Sequence, residues 1–353
     1  MVRRCSSENL GRDLQGLVGV VTGAASGIGA ATAGQLAGQG MTVVVTARSA
    51  ERAREAAAAA RGAWRGDAPL RGEIVPVVLD NADLDSVRAG AREIMERFPK
   101  LDLLVNNAGV MGCPLSRTSQ GHELQLGVNH LSHFELTNQL IPALRAAGKS
   151  RILCVASSAS VGNVRNPKER ATIDFEDPNW ERREYNPLMA YSASKLANVL
   201  HARALAGRLR ESGVTAVSLH PGIIDTSLFR HFLKGPGRHL FKVPGVKRAL
   251  TYLIFGNNYL DASDGAQTTL HCALDPSVPN HAGAFYSQDG PYGGAKIFGR
   301  GFSGGWPMRN PNPAAEDAEL AERLWSLSEV LVARGSTSAG SPASAGQPAK
   351  NAA

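Results

Sequence analysis

Cysteine is scarce in this sequence, and its positions exclude the frameworks that cysteine usually builds. Only four cysteines occur among the 353 residues, and no CxxC or other metal-binding spacing relates them. A small disulfide-linked fold and a cysteine-based zinc site are therefore excluded, and we expect reduced thiols in a reducing compartment. The four residues are Cys5, Cys113, Cys154 and Cys272.

Long apolar runs are also missing. A transmembrane helix needs ~18 or more consecutive apolar residues, whereas the best run, ALTYLIF at 249–255, has only seven. The first residues, MVRRCSSENLGRDLQG, lack the apolar core of a secretory signal peptide. We therefore expect no signal peptide and no membrane span, and a location in the cytoplasm or at the surface of an organelle.

A dense basic tract is the third absence. The net charge of +7 would suit an anionic ligand, a membrane surface or nucleic acid. The Lys and Arg residues are dispersed, however, which is typical of a solvated surface, so we expect no nucleic-acid partner. A hydrophobic content of 43% with 20% charged residues is typical of a globular protein.

Short apolar runs alternate regularly with helical stretches. The runs are continuous in their apolar character, which is typical of parallel strands buried on both faces. This pattern predicts an α/β protein, doubly wound around a central parallel sheet of about seven strands. The predicted strands are 17–23, 41–48, 73–80, 101–109, 151–157, 214–222 and 283–287, and the main predicted helices are 28–39, 49–61, 83–97 and 119–147.

The chain divides into three predicted parts. Residues 16–333 form one domain, because no internal repeat and no second alternating system occurs. Residues 1–15 precede the first strand as an N-terminal extension. Residues 334–353 are rich in Ser, Ala, Gly and Pro, and we predict a disordered tail there.

The turn after the first predicted strand, TGAASGIG at 22–29, is rich in glycine and opens a helix. Gly23 permits the tight turn, while Gly27 and Gly29 let a pyrophosphate approach backbone N–H groups at the helix N-terminus. A glycine-rich turn is often only a turn, and the spacing here differs from G-x-G-x-x-G. Its place between a strand and a helix predicts dinucleotide binding in a Rossmann-type fold.

Arg48 ends the second predicted strand. An acid at this place holds the ribose 2′-hydroxyl of NAD, whereas an arginine accommodates the 2′-phosphate of NADP. The sequence TARS has no acid, and Ser49 offers a further hydrogen bond. We therefore expect NADP(H) rather than NAD(H), the alternative being a solvated arginine at a strand end.

Two further motifs carry chemistry. VNNAG at 105–109 follows the fourth strand with small and amide residues that let the backbone lie against a cofactor, although NNAG is also good turn chemistry. In YSASK, Tyr191 and Lys195 lie four residues apart and so share one face of a helix. YxxxK by itself will occur by chance, so the spacing alone leaves open whether this is a proton-transfer pair or the ordinary start of a surface helix.

Together these motifs resemble the short-chain dehydrogenase/reductase family. TGxxxGxG, NNAG, a helix Asn, a strand-end Ser and YxxxK occur in the order of that family over about residues 16–330. DFEDPNWERREYNPLMAYSASKLANVLHARALAGRL and SLHPGIIDTSL are similar to the branch that holds the retinol dehydrogenases and the WW-domain oxidoreductase. AERLWSLSEVLV at 321–332 resembles the C-terminal helix of that branch.

The resemblance implies a role for each matching residue. Tyr191 is expected to exchange the proton, and Lys195 to hold the nicotinamide ribose and lower the pKa of the tyrosine. Ser158 is expected to hydrogen-bond the substrate oxygen, with Ser157 as its rival, and Asn129 to hold a water near the lysine. The implied cofactor-binding residues are Gly23, Ser26, Gly27, Ile28, Gly29, Arg48, Asp80, Asn107, Ala108, Gly109, Tyr191, Lys195, Pro221, Gly222 and Thr226.

The sequence departs from compact family members in several places. A polar stretch at about 162–188 reads as a surface excursion, and Asn81 stands where the branch tends to be apolar. The Gly- and aromatic-rich segment 288–312 is a lid, a partner-binding loop or a tolerated insertion. Apolar residues across 227–262 predict a cleft for a small lipophilic substrate and allow peripheral membrane contact.

These features predict an NADP(H)-dependent oxidoreductase that moves a hydride between the nicotinamide and the carbonyl or alcohol carbon of a retinoid-, steroid- or pigment-like substrate. The alternative is a nucleotide-binding redox sensor or a scaffold on the same fold, which would not need the Tyr, Lys and Ser that are present. No metal is expected, and the oligomeric state does not follow from the sequence. Three histidines without accompanying acids or cysteines are interpreted as packed or exposed side chains: His130, His133 and His201.

Overall fold

Seven strands form one all-parallel sheet in a computed structural model of the chain. The structure describes residues 3–162, 169–222, 224, 260–288 and 305–337. Within them, the predicted parallel sheet is confirmed, and only β5 extends beyond its predicted range, by one residue at its start. The strands are β1 (Val18–Thr22), β2 (Thr42–Ala47), β3 (Ile74–Val78), β4 (Leu103–Asn106), β5 (Ser150–Val155), β6 (Val214–His220) and β7 (Phe285–Ser287).

The strand order creates a crevice at the carboxyl ends of the strands. The order is β3-β2-β1-β4-β5-β6-β7, so the chain builds the sheet in one direction from β1 and in the other from β4. In open α/β sheets, ligands bind beyond the carboxyl ends of the strands, where this reversal occurs. The turns after β1 and β4, which pair in parallel, therefore border the same crevice.

Helices cover both faces of the sheet. Six of them follow residues whose side chains accept hydrogen bonds from backbone N–H groups of the first turn: Ser6, Ser49, Asp83, Asn186, Asp261 and Asp317. The α-helices are α1 (Ser7–Leu10), α2 (Gly27–Gly38), α3 (Ala50–Ala63), α4 (Leu84–Arg97), α5 (Ser132–Ala146), α6 (Pro187–Arg208), α7 (Ala262–Leu274) and α8 (Ala318–Thr337). Shorter turns lie at Leu124–Leu126, Gly127–Leu131, Ser158–Val161, Val278–His281 and Pro313–Glu316.

The hydrophobic core has two layers, one on each face of the sheet. One layer packs α4, α5, α6 and α8 against the strands, and the other packs α2, α3 and α7. Alternate residues of one strand enter opposite layers, as Val44 does on one side and Val43 and Val45 on the other. This burial on both faces explains why the strand sequences are continuously apolar.

The helix predicted at 119–147 begins later and with a distorted turn. Gly121 has φ 83°, which is outside the right-handed helical region, so the chain turns there instead. A π-helical turn at Gly127–Leu131 then leads into α5. Such turns are frequent at functional sites, and this one contains Asn129.

The N-terminal extension is packed against α7 and the end of β7. The side-chain amide of Gln288 makes two hydrogen bonds to the backbone of Arg3, at 2.7 and 2.8 Å. The backbone N–H of Cys5 donates to Oε1 of Gln267 on α7 at 3.1 Å. Because Cys5 is buried, the N-terminal extension contributes to the hydrophobic core.

Some expectations fall outside the described residues. They include Thr226, most of the substrate region 227–262 and most of the segment 288–312. The last helix continues four residues beyond the predicted domain end, to Thr337, and the rest of the predicted tail, 338–353, is not described. Among the described helices, none has the length and apolar character needed to cross a membrane.

Candidate active site

Glycines shape the turn between β1 and α2. Gly23 and Gly27 have φ values of 68° and 60°, in the left-handed region that favours glycine. A Cβ on Gly23 would lie 2.7 Å from the Cα of Ala108, and one on Gly29 would lie 2.5 Å from the carbonyl oxygen of Gly23. Larger residues would therefore force this backbone to move, so the packing of the turn itself requires glycine at positions 23 and 29, while the approach of a pyrophosphate to Gly27 and Gly29 stays a prediction.

The turn after β1 is tied to the NNAG turn after β4. Nδ2 of Asn107 donates to the carbonyl oxygen of Thr22 at 2.8 Å. Oγ1 of Thr22 accepts from the backbone N–H groups of Asn107 and Ala108, each at 2.9 Å. The structure thus brings Asn107 and Ala108 to the crevice as predicted, but the Asn107 side chain braces the two turns.

The N-terminus of α2 keeps its backbone N–H groups uncapped. Ser26 precedes the helix and makes no side-chain capping hydrogen bond, unlike the residues that begin α3, α4, α6 and α7. Ser26 is exposed, and Gly27 and Ile28 are half-buried. The first N–H groups of a helix lack intrahelical partners and attract anions. This end of α2 therefore fits a pyrophosphate group.

Arg48 and Asp80 follow the neighbouring strands β2 and β3, at the carboxyl ends of the sheet. β2 and β3 pair in parallel up to their last residues, so the residues that come next emerge side by side. Arg48 is exposed, while Asp80 is half-buried and its Oδ1 accepts from the backbone N–H of Ala82 at 2.9 Å. An exposed guanidinium at the carboxyl end of β2 is available to a phosphate group.

Tyr191 and Lys195 share one face of α6 and are buried. Asn186 caps the helix and Pro187 occupies its first turn, which sets the start of α6 a turn before the tyrosine. Nζ of Lys195 lies 5.8 Å from the centroid of the Tyr191 ring and donates to the carbonyl oxygen of Val155 at 3.0 Å. The structure therefore forms the pair predicted from YSASK, with the ammonium anchored at the end of β5.

Asn129 reaches α6 from the π-helical turn. Its Nδ2 donates to Oγ of Ser194 at 2.9 Å and to the carbonyl oxygen of Val110 at 3.0 Å, while its Oδ1 accepts from the N–H of Val110 at 2.8 Å. A Cβ on Gly109 would lie 3.2 Å from Oδ1 of Asn129 and 3.5 Å from Nζ of Lys195. Asn129, Gly109 and Lys195 thus meet at one point of the crevice.

Burial dominates the pKa values of the pair. Desolvation raises the pKa of Tyr191 to about 12, with a smaller lowering by a hydrogen bond with Ser157. Desolvation lowers the pKa of Lys195 to about 8, and the thiol of Cys154 acts in the opposite direction. We expected a lowered tyrosine pKa, but in the chain alone desolvation is the larger effect. The phenol is therefore protonated at neutral pH, as a proton donor must be.

The serine next to Tyr191 is Ser157 rather than the expected Ser158. The side chain of Ser157 hydrogen-bonds with Tyr191, and it also caps the following short turn by accepting from the N–H of Ala159 at 3.2 Å. Ser158 is the first residue of that 3₁₀ turn. Ser157 precedes this turn in an extended conformation, and its hydroxyl is the one that reaches Tyr191. The structure thus places Ser157, the rival of Ser158, beside Tyr191, while the serine that contacts the substrate oxygen stays a prediction.

The turn after β6 borders the far end of the crevice. Gly222 has φ 99°, and a Cβ there would lie 2.7 Å from Cδ1 of Leu260. Ile224 pairs with Leu260 in an isolated parallel bridge. Pro221 and Gly222 therefore lie at the carboxyl end of the sheet, where the carboxamide end of the cofactor was expected.

Several residues that support the site were not among the predicted site residues. Oγ1 of Thr22 lies 2.9 Å from Nε2 of His133, which follows Asn129 by one helical turn. That spacing is the sequence signal that points to His133. His130 and His201 pack in an aromatic cluster with Phe134 and Trp325. In the described parts of the chain, no group of three or more His, Cys, Asp and Glu residues is arranged to hold a metal ion.

Comparison with known proteins identifies the family. The family pattern described as short chain dehydrogenase matches residues 18–168. Retinol dehydrogenase 14 of Mus musculus is 37% identical over 324 residues, covering 90% of this chain and 86% of that protein. Retinol dehydrogenase 13 of Homo sapiens is 38% identical, covering 89% of this chain and 83% of that protein. The chain belongs to the short-chain dehydrogenase/reductase family, in its retinol-dehydrogenase-like branch, and is an oxidoreductase of alcohol and carbonyl groups.

Solved structures share the same fold. An uncharacterized protein from Mycobacterium paratuberculosis is 31% identical, with a TM-score of 0.64 over 91% of this chain and 95% of that one. L-sorbose reductase from Gluconobacter frateurii, solved with NADPH and L-sorbose, is 22% identical, with a TM-score of 0.59 over 79% of this chain and 97% of that one. At that identity the second similarity concerns the fold.

Proposed function

We propose that this chain is an NADP(H)-dependent oxidoreductase that transfers a hydride between the nicotinamide and the carbonyl or alcohol carbon of a lipophilic substrate. The observation that carries the proposal is the buried pair Tyr191 and Lys195, held beside Asn129 and Ser157 at the crevice that the glycine turn borders. A proton donor and a dinucleotide-binding turn at one crevice are what hydride transfer to a carbonyl requires.

Arg48 supports the choice of NADP(H). Its exposed guanidinium follows β2, at the place where an acid would hold a ribose 2′-hydroxyl. A carboxylate there would repel a 2′-phosphate, whereas a guanidinium forms charge-assisted hydrogen bonds with it. The uncapped N-terminus of α2 would hold the pyrophosphate, and Pro221 and Gly222 the carboxamide end.

In the direction of reduction, a nicotinamide held in this crevice would supply the hydride to the carbonyl carbon. Tyr191 donates its phenolic proton to the substrate oxygen, and the O–H bond of the tyrosine breaks as the alcohol O–H forms. Ser157 donates a hydrogen bond to the same oxygen. The Lys195 ammonium is the nearby positive charge that stabilises the tyrosinate left behind. Alcohol oxidation runs through the same groups in reverse.

A lipophilic substrate is supported by two features. Relatives named retinol dehydrogenase match most of this chain, and the sequence of 227–262 is rich in the apolar residues that an apolar cleft would need. The Lys and Arg residues interleaved there would also permit peripheral contact with a membrane surface. We assign the substrate to the retinoid-type class of lipophilic alcohols and aldehydes.

The test is a panel of retinals, steroid ketones and simple aldehydes, with NADPH oxidation followed by absorbance. An enzyme of the proposed kind reduces at least one lipophilic carbonyl, and Tyr191→Phe abolishes turnover while the fluorescence-measured Kd for NADPH stays within about threefold. Binding of NADPH without turnover of any carbonyl would favour the redox-sensing or scaffold alternative.

A further inference from the structure

An imidazole connects the glycine turn to Asn129. His133 is buried, with 1% of its surface exposed. Its Nδ1 lies 3.0 Å from the carbonyl oxygen of Asn129, and its Nε2 lies 2.9 Å from Oγ1 of Thr22. Thr22 is the last residue of β1, so one side chain contacts both the nucleotide-binding turn and the π-helical turn.

The direction of these hydrogen bonds follows from the acceptor at one end. A carbonyl oxygen only accepts, so the imidazole proton lies on Nδ1. Burial lowers the pKa of His133 to about 4, which keeps the ring neutral at physiological pH. A neutral imidazole has one N–H, so Nε2 is an acceptor. The hydroxyl of Thr22 therefore donates to His133.

The Thr22 hydroxyl is fully engaged. Its oxygen accepts from the backbone N–H groups of Asn107 and Ala108, each at 2.9 Å. The same oxygen lies 2.9 Å from Nε2 of His133 and 3.4 Å from the carbonyl oxygen of Val105, so the imidazole is the nearer acceptor for its proton. A shift of this oxygen would strain all of these bonds at once. Movement of the glycine turn is thus transmitted to the imidazole.

The other end of the connection lies in the site itself. His133 holds the backbone of Asn129, whose side chain holds Val110 and Ser194. Ser194 is on α6 between the tyrosine and the lysine of YSASK, and its hydroxyl donates to the carbonyl oxygen of Tyr191 at 2.8 Å. A continuous series of hydrogen bonds therefore runs from the glycine turn to the helix that carries the proton donor.

We propose that His133 is a positioning residue that couples nucleotide binding at the glycine turn to the alignment of Asn129 and α6. A nucleotide bound at the N-terminus of α2 would hold the turn that follows Thr22, and the hydrogen bonds of His133 would pass that constraint to the π-helical turn. The effect on turnover rests on the proposed function, whereas the coupling itself requires only that a nucleotide binds.

Two amide side chains can separate the two halves of the connection. In His133→Asn, Nδ2 replaces Nδ1 as the donor to Asn129, but nothing reaches Thr22. In His133→Gln, Oε1 replaces Nε2 as the acceptor from Thr22, but the donor to Asn129 is lost. His133→Phe removes both bonds. His201→Phe is the matched control, because His201 is a histidine of similar burial that contacts neither Thr22 nor Asn129.

The measurement is hydrogen exchange by mass spectrometry with and without NADPH. We expect NADPH to protect both the glycine turn, 22–30, and the segment 124–135 in the wild type and in His201→Phe. His133→Phe should keep the protection at 22–30 and lose the protection at 124–135. The two amide variants should lose most of the protection at 124–135. Full protection of 124–135 in His133→Phe would overturn the proposal.

Kinetics supply a second readout. With the best carbonyl substrate of the panel, His133→Phe should lower kcat about tenfold and change the Kd for NADPH by less than about threefold. Thr22→Val also removes the acceptor of the backbone N–H groups of Asn107 and Ala108, so it should still lower kcat in His133→Phe, but by less than in His201→Phe, which keeps the bond between Thr22 and His133. Additive losses would overturn the coupling.

The two proposals fail in distinguishable ways. If the wild type binds NADPH and reduces no carbonyl, the proposed function fails, and the exchange pattern still decides the coupling. If NADH binds instead, the same exchange experiment is done with NADH. Circular dichroism checks the folding of each variant, and the two amide variants carry the test where His133→Phe is unfolded.

Discussion

Nζ of Lys195 donates a hydrogen bond to the carbonyl oxygen of Val155, 3.0 Å away at the end of β5. The bond holds the ammonium on the strand that leads to Ser157, beneath the ring of Tyr191. Asn198, one turn further along α6, donates to the same carbonyl oxygen at 3.1 Å. The lysine is therefore fixed by the sheet as well as by its own helix, and only 4% of its surface is exposed.

The pH dependence of reduction should report this lysine. Its pKa is lowered by burial to about 8, so the ammonium is lost as the pH rises through 8. We expect kcat/KM for carbonyl reduction to fall above pH 8, approaching tenfold per pH unit. In Lys195→Arg, any remaining activity should lack this decline, because a guanidinium stays protonated. A decline at the same pH in that variant would assign it to another group.

Substitution of the two adjacent serines should separate their roles. Ser157→Ala removes the hydroxyl that hydrogen-bonds with Tyr191, and we expect it to lower kcat roughly 100-fold. Ser158→Ala should stay within about threefold of the wild type, because the hydrogen bond with Tyr191 is made by Ser157. Steady-state kinetics with NADPH decide between them, and the reverse pattern would restore Ser158.

Replacement of Arg48 should change the cofactor preference. Arg48→Asp exchanges a donor to the 2′-phosphate for a repelling carboxylate, which should weaken NADPH binding by about 2 kcal/mol, or roughly thirtyfold. NADH binding should stay the same or improve. Arg52→Asp is the control, since it makes the same charge change at an exposed position on α3. Equal effects of the two variants on the NADPH Kd would count against the assignment.

Buried histidines should make the fold sensitive to acid. Burial lowers the pKa values of His130 and His220 to about 3 and of His133 to about 4. Since an unfolded histidine titrates near 6.5, the unfolded state binds more protons between these values, and stability is lost as the pH falls from about 6.5 towards 4. Each contributes a slope of up to about 1.4 kcal/mol per pH unit.

Urea unfolding between pH 7.5 and 5 measures this loss. His220→Asn should reduce the slope of the free energy of unfolding against pH by the share of one proton. A free energy that does not change with pH in this range would show that these histidines are not neutral in the folded protein.

The N-terminal segment should depend on a buried amide more than on a surface ion pair. Gln288→Ala removes both bonds to the backbone of Arg3, and we expect a loss of about 1–2 kcal/mol and faster tryptic cleavage after Arg3 and Arg4. Asp264→Ala breaks the ion pair with the exposed Arg4 and should cost less than about 1 kcal/mol. Equal rates of tryptic cleavage in the two variants would mean that Gln288 does not anchor the N-terminal segment.

The sequence by itself determined the strands, their parallel arrangement and the pairing of Tyr191 with Lys195. These features have a period or a fixed local geometry: continuous apolar runs for buried strands, a glycine turn between strand and helix, and a four-residue spacing on a helix. Glycine at position 23 is likewise dictated locally, by a φ that side chains rarely adopt.

Only the tertiary structure decided which neighbouring groups meet. The choice of Ser157 depends on how the chain leaves β5, which brings that hydroxyl within hydrogen-bonding reach of Tyr191 on α6. The late start of the helix before Asn129 depends on a turn at Gly121. The bond between Thr22 and His133 joins residues 111 positions apart. No local pattern encodes such a contact, because it forms only when β1, β4 and α5 pack together.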